Sequence, residues 1–428
     1  MHIGCRLKKL REEKNLSQKT VSIGIVSTSH YSNIENGRFE PSNEVLLLLA
    51  ERLEVPSEYL HRIREENVEI QKYLMEYEML IASSEGNIDS FLKKNHTKFI
   101  YIVSLKQEVM FNLLKYLEHL KFGRINEAQK HYVAEIACIP QKYIAEANLQ
   151  MLEKYQYVTG LHHYYTRNYA DSILHFKEAL HLTKDELLSA KINYNIALAL
   201  YQEHDYGTAL NYTKKALGQY MDLHCWKQCG DCYNLVAALY LEQYKVDEAK
   251  KYIEKGFSII ADEMTGTLAN LYHNLAIFYF IEKDFMQALE KVNRSLEVKK
   301  ALEVGNLFAT KKLKIEILFE LEDFQAIQSC LGRLRKMASS DLEQAHLHKI
   351  DALLYYSMRE YEQFERLMIH CTEVFLENKQ WVDLKESSHH LALYYANQKK
   401  YKSAYMYQEY GIHAYRHIVM ELKGGDEL

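Results

Sequence analysis

The sequence predicts an all-α protein, with a five-helix N-terminal head followed by a long array of helical hairpins. Three observations carry that expectation. Only 3 Pro and 16 Gly occur in 428 residues, so helices meet few breakers. Hydrophobic residues make up 48% of the chain, too many for disorder. Asparagine also recurs in three similar segments, Tyr194-Asn195-Ile196-Ala197, Tyr233-Asn234-Leu235-Val236 and His273-Asn274-Leu275-Ala276, at steps of 39 and 40 residues. That period is too long for one helix and suits one hairpin per repeat.

Composition narrows the setting. Apolar runs such as Val45 to Ala50 fall far short of the roughly 20 residues that cross a bilayer. No apolar core follows the charges of residues 1–14, so a cytoplasmic protein is expected, and the terminal Asp426-Glu427-Leu428 has no use as a retention tail. The 7 Cys are irregularly placed and read as reduced, mostly buried thiols. Cys225, Cys229 and Cys232, close to His224, share one helical face and read as a packed stripe rather than a metal site. No metal and no cofactor are expected. Up to Arg64, ten Lys and Arg face eight Glu, a balance of +2 that leaves −7 on the remainder. A basic head on an acidic body suits nucleic-acid contact confined to the head.

In the head, Ile3, Leu7 and Leu10 form the apolar stripe of a first helix. Ser17 caps a second from Gln18 to Ile23, and residues 24–26 turn. Ser27 or Thr28 caps a third that ends at Asn36-Gly37, where glycine supplies the left-handed conformation. Pro41-Ser42-Asn43-Glu44 opens a fourth with Val45, Leu46, Leu49 and Leu53 inward, and Val55-Pro56-Ser57 starts a fifth.

The segments Leu16-Ser17-Gln18, Ser32-Asn33-Ile34-Glu35-Asn36-Gly37, Pro41-Ser42 and Leu53-Glu54-Val55-Pro56 resemble the Cro/C1-type helix-turn-helix. Ser22 departs from the usual Ala, and Gly24 arrives early in a shortened turn. The resemblance implies that the third helix enters the major groove of double-stranded DNA. Thr28, Ser29 and Asn33 would face base edges with Ser32 next in line, and Gln18, Ser27 and Arg38 would hold phosphates. One head reads little sequence, so a homodimer or higher homo-oligomer on a palindromic operator is expected.

Arg62 to Ile81 is expected as a connecting helix, and Ser83-Ser84-Glu85-Gly86-Asn87 as a joint. The expected division is 1–64, head; 65–85, connector; 86–428, repeat array. In the array, inward positions of successive second helices fall at Ala128, Ser172, Ala209, Ala249, Ala288, Ile327, Phe364 and Ala404. An aromatic lies three residues earlier at Tyr169, Tyr206, Phe285, Phe324, Tyr361 and Tyr401. First helices carry Gly160, Ala197, Ala276, Ala352 and Ala392 at the crossing point. The pattern resembles a stretched tetratricopeptide repeat, which implies about eight hairpins from Phe111 to Val419 wound into a right-handed superhelix. Ile315, Ile327 and Phe364 replace small residues, which predicts a change of pitch there.

Asn195, Asn234 and Asn274 then lie on consecutive first helices. One such asparagine would bond its neighbouring hairpin, whereas three in register form a ladder of donors and acceptors suited to an extended peptide backbone. Tyr201, Tyr240 and Tyr279 would wall that groove, although aromatics at helical spacing also serve as core. Lys191 and Asn270 lie one turn before Asn195 and Asn274, and His390 holds the equivalent place in the last repeat.

A helix-turn-helix followed by these repeats, with asparagine at this position, resembles the RRNPP group of Gram-positive quorum-sensing regulators, its NprR- and PlcR-like members most of all. The resemblance implies a short, re-imported signalling peptide in the concave groove and a dimer whose hold on DNA it alters. It also leaves open a Rap-like action on a sporulation response regulator, and a protein-interaction scaffold is the other alternative. The sequence has no HExxH, no phosphate-cradling Gly-rich loop and no nucleophile elbow, so no enzyme is expected.

Overall fold

The computed structural model describes residues 3–83, 87–139, 148–260, 265–302, 307–338 and 340–423. Every regular element among them is helical. None of these helices is long and apolar enough to cross a membrane. The expected joint at 84–86 and the terminal 426–428 lie outside the described residues. The chain divides into two compact units, residues 1–185 and 186–428.

Unit 1 begins with the five expected helices, α1 (Ile3–Glu13), α2 (Gln18–Ser22), α3 (Thr28–Glu35), α4 (Asn43–Arg52) and α5 (Ser57–His61). Their apolar stripes close one core of Ile3, Leu7, Leu10, Val21, Tyr31, Ile34, Leu46, Leu49 and Leu53. Serines start three of them, each hydroxyl accepting a first-turn N–H: Ser17 from Thr20, Ser27 from His30 and Ser42 from Val45. Gly24 and Gly37 both sit at positive φ, 76° and 69°. The unusual Ser22 is buried, and its hydroxyl reaches the Lys19 carbonyl and the Thr28 hydroxyl at 3.4 and 3.3 Å. A polar residue is thereby tolerated at an apolar position.

The expected connecting helix is shorter than the apolar pattern suggested. It runs as α6 (Val68–Ala82), because the Asn67 carboxamide caps it, accepting from Glu69 and Ile70 N–H at 2.8 and 3.2 Å. Short helices α7 (Ile88–Lys94) and α8 (His96–Ile100) follow, then α9 (Leu105–Lys121). The head is seated on α9 through Arg6, which is only 1% exposed. Its guanidinium bonds Glu108 at 2.7 and 3.1 Å, takes the carbonyls of Tyr59, Ile102 and Val103, and lies 3.9 Å over the Tyr59 ring. Tyr59 completes the knot by donating its hydroxyl to Glu108 at 2.6 Å.

The repeats start in unit 1 with α9 against α10 (Ile125–His131), which continues as a π turn over Tyr132–Ile136. The next hairpin is α11 (Leu149–Tyr165) and α12 (Tyr169–Leu182). At its crossing, a Cβ on Gly160 would stand 2.6 Å from the Phe176 ring, and Ser172 donates to the Gly160 carbonyl at 2.8 Å. Small residues are needed there for contact.

Unit 2 stacks six more hairpins: α13 (Glu186–Gln202) with α14 (Tyr206–Asp222), α15 (Trp226–Glu242) with α16 (Val246–Ile260), α17 (Gly266–Ile281) with α18 (Phe285–Ala301), α19 (Leu307–Glu320) with α20 (Phe324–Arg335), α21 (Asp341–Ser357) with α22 (Tyr361–Glu377), and α23 (Trp381–Asn397) with α24 (Tyr401–Lys423). First helices pack on first helices, α15 on α17 and α17 on α19, and α14 also touches α24. Each turn of the hairpins from α11 onward uses one non-glycine residue at positive φ, among them Arg167, His204, Tyr244, Lys283, Glu322, Arg359 and Lys399. Three cysteines, not most of the seven, are buried: Cys229, Cys232 and Cys371. Cys229 and Cys232 pack, as expected, among Ala190, Ala216, Leu217 and Tyr220.

Candidate functional site

Two surfaces collect the residues that sequence singled out. The first is the face of the head formed by α3 and its flanking residues, 27–38. Ser27, Thr28, Ser29, Asn33 and Arg38 are exposed there, and Ser32 is half-buried. Ser27 already serves as the cap, its Oγ 3.2 Å from the His30 N–H and 3.2 Å from the Ser29 hydroxyl. Ser32 accepts from Asn36 Nδ2 through its carbonyl at 2.8 Å and its hydroxyl at 3.4 Å. Asn33 and Arg38 make no side-chain bond to any described residue, so their donors face solvent. Gln18 is held inside the head. Its Nε2 donates to Glu35 at 2.7 Å, beside Arg11, which takes the same carboxylate at 2.6 and 3.1 Å. This triad ties α1, α2 and α3 together and fixes the pose of α3.

The second surface is the first-helix face of unit 2. Asn195, Asn234 and Asn274 occupy matching places on α13, α15 and α17, but they do not form three open rungs. Asn274, 5% exposed, donates through Nδ2 to the Asn234 carbonyl at 3.0 Å and to its side-chain oxygen at 2.9 Å. Asn195 is half-buried and has a partner of its own. The bond from Asn274 orients the Asn234 carboxamide so that its Nδ2 is left without a bond among the described residues.

The three tyrosines are placed differently, since a residue five or six positions on points away from the asparagine. Tyr201 donates to Glu242 at 2.7 Å. Tyr240 accepts from Lys214 at 3.3 Å and packs 5.6 Å from Tyr252, both on second helices. Tyr279 lies among core residues beside Phe278, ring centroids 5.2 Å apart. Lys191 is half-buried and Asn270 exposed, each on the same helix as its asparagine.

Beyond the asparagines the same face becomes ionic, which the sequence reading missed apart from His390. Lys349 on α21 bridges Asp383 at 2.8 Å and Glu386 at 2.6 Å on α23. Lys312 on α19 approaches His346 at 3.2 Å and Glu316 at 3.5 Å. His346 stands 3.5 Å from Asp383. Burial opposes the charge on Asp383, yet Lys349 and Lys312 hold its carboxyl well below the usual carboxylate range. Burial pushes the Glu242 carboxyl up, while Lys312, felt across the face, draws it down. His273, next to Asn274, has its imidazole pushed down to about 3 by burial and by Lys299 and Lys312. His390, half-buried on α23, is also lowered, by burial and then Lys349. The signal was present as charged residues at repeat spacing on successive first helices. Among the described residues no group of three or more His, Cys, Asp or Glu could hold a metal.

Residues 7–60 match the helix-turn-helix family, the segment whose five helices and caps are described above. The chain is 22% identical over 398 residues to the transcriptional activator NprA of Geobacillus stearothermophilus, covering 89% of this chain and 95% of that one. Its fold is similar to a Rap protein complexed with competence and sporulation factor (TM-score 0.67, 14% identity, 82% of this chain and 99% of that). It is also similar to NprR in complex with its cognate peptide NprX (TM-score 0.63, 16% identity, 82% of this chain and 100% of that). The chain thus carries a helix-turn-helix domain at residues 7–60 and is similar to that activator over most of its length.

Proposed function

We propose that the first-helix face of unit 2 binds a short peptide and that its occupancy changes how paired heads hold DNA. The observation that supports this most is the Asn274–Asn234 bond, which points one carboxamide donor outward on a face that also carries the Lys312, Lys349 and Asp383 charges. An extended peptide offers one backbone acceptor and one donor per residue, and a side-chain amide can meet both. The charged stretch supplies counterparts for side chains or a terminus. The complex of NprR with its cognate peptide NprX supports the same reading.

The functional division follows: residues 1–64 read DNA, 65–85 connect, and 86–428 bind peptide and dimerise. Two heads on half-sites about 34 Å apart make a palindromic operator the natural target. A hairpin stack changes pitch by small rotations at each interface, so a ligand touching several hairpins shifts the spacing of the heads. The test is a titration of the full-length protein with a labelled synthetic peptide taken from the C-terminal tail of a small secreted product encoded beside the chain. Asn195→Ala with Asn234→Ala is expected to weaken that binding at least tenfold while operator binding persists; unchanged affinity in the double variant overturns the proposal.

A further inference from the structure

Cys5 lies on α1 of the head, and Cys138 follows the π turn that closes α10, 133 residues later. The Cys5 thiol points at the Cys138 carbonyl oxygen at 3.2 Å, and the two side chains also interact with each other directly. The seam around them is tied on the same helix. Lys9, one turn along α1, bridges Glu135 at 2.7 Å, and Arg6 bridges Glu108 at 2.7 Å. Cys138 is exposed and Cys5 half-buried, whereas Cys229, Cys232 and Cys371 are buried. Access to solvent and a second thiol at hand therefore coincide at this seam.

We propose that Cys5 and Cys138 are an oxidation site, which a peroxide converts into an intramolecular disulfide tying the head to the helices behind it. The Cys138 thiolate attacks one peroxide oxygen; the S–O bond forms, the O–O bond breaks, and the departing hydroxide takes up a proton to leave as water. The Cys5 sulfur then attacks the sulfenic sulfur, forming the S–S bond and expelling hydroxide, which takes the Cys5 proton as a second water. The two sulfurs together lose two electrons and the peroxide gains them. Contact with Cys5, and then burial, push the Cys138 thiol up from its ordinary value, so the reaction quickens as pH rises. A bond of this kind at an accessible seam in an otherwise reduced protein is reversible by small thiols. It would give the regulator a second input, separate from the peptide face in unit 2.

The experiment treats full-length protein with hydrogen peroxide, quenches with iodoacetamide and maps peptides by mass spectrometry without reduction. The expected result is a Cys5–Cys138 cross-linked peptide, loss of that one thiol pair from alkylation, and full recovery with dithiothreitol. Hydrogen exchange along α1 is expected to slow in the oxidised protein. Cys138→Ser should leave Cys5 fully alkylated, with its fold checked by circular dichroism. Cys138 found as a sulfinic acid or in a cross-link between two chains, with Cys5 still alkylated, overturns the proposal. So does a cross-linked protein whose α1 exchanges as before, because the tether would then constrain nothing. Both readouts come from the unaltered chain and stand even if a variant fails to fold.

Discussion

Helix α3 of the head and the first-helix face of the array handle their polar groups in opposite ways. In the head, Asn33 and Arg38 are exposed and make no side-chain bond among the described residues, while the costly polar knot, Arg6 with Glu108 and Tyr59, is buried at the seam behind them. In the array, the polar residues that recur with the repeat bond each other: Asn274 to Asn234, Lys349 to Asp383 and Glu386. The difference matches what the proposed function has each surface meet. DNA is a stiff partner with fixed grooves, and a helix pre-posed by buried contacts can present donors to it directly. A half-enclosed face must be satisfied without its ligand, or it would leave polar groups stranded in a dry setting. On the proposed peptide reading, binding there is an exchange of hydrogen bonds, with a small net gain at each position.

The head's half of that contrast fails if the seam is not what holds it. Arg6→Met strands the Glu108 carboxylate beside the Tyr59 hydroxyl, and such a broken buried pair costs about 3 to 5 kcal/mol. Chemical denaturation of the protein, followed on a probe in the head, should show that loss. Pairing the change with Glu108→Leu should recover most of it, since apolar replacement of both partners removes the stranded charge. A loss under about 1 kcal/mol in the single variant would say that the seam is too loose to set the pose of α3.

The array's half is sharpened by pH. His273 is neutral when folded, with an imidazole pushed down to about 3 from an ordinary 6.5, so the unfolded chain binds a proton first as pH falls. Its contribution is intact above pH 6.5 and declines between there and about 3. Asp383 behaves in the same sense in a lower window: a carboxylate held down by lysines contributes above the usual carboxylate range and loses that contribution as pH falls below it. Stability of unit 2, followed by denaturation from pH 7 to 5, should therefore fall in the native chain and fall less in His273→Phe. Parallel curves would mean that the imidazole is not held neutral. Lys349→Met should be destabilised at neutral pH and converge on the native chain in strong acid, where Asp383 is protonated in both.

Asn33 tests the exposed donors. An operator selected from random DNA should bind Asn33→Ala more weakly by about 1 to 3 kcal/mol, with little change on non-specific DNA. Equal loss on both would assign Asn33 to the phosphates and leave base reading to Thr28 and Ser29.

The head was legible almost residue by residue, because its signals are local. Ser17, Ser27 and Ser42 cap, Gly37 closes α3, and one apolar stripe per helix makes the core. The hairpins were legible from their period and from small residues such as Gly160 and Ala209, both at close crossings. The hairpin turns were not, since Lys283 and Arg359 adopt positive φ with no residue-type signal for it. The connector was over-read for a similar reason: its apolar pattern ran through residue 67, where a side-chain cap stops the helix. The candidate peptide face was half legible. Asparagines at repeat spacing stood out, but which amide bonds which depends on a crossing between helices 40 residues apart. The Lys312, Lys349 and Asp383 cluster joins helices further apart still, and no single window of sequence shows its members as partners.

The smallest expected effect is the most discriminating. Asn274→Ala removes the two bonds to Asn234, and a net loss of about 0.5 to 1.5 kcal/mol in stability is the ordinary consequence. On a purely structural ladder nothing else changes. On the proposed peptide face, Asn274 also sets which way the Asn234 carboxamide points, so its loss frees Asn234 to turn its oxygen outward and mismatches a backbone acceptor. Peptide affinity should then drop although Asn274 itself, at 5% exposure, has little surface to offer a ligand. Asn274→Asp separates the two roles: the carboxylate keeps the size but cannot donate, so it reproduces the affinity loss if orientation is what matters. If both variants bind peptide as the native chain does while stability falls as expected, the amides are mortar between hairpins. The array's polar face would then differ from the head's only in being closed.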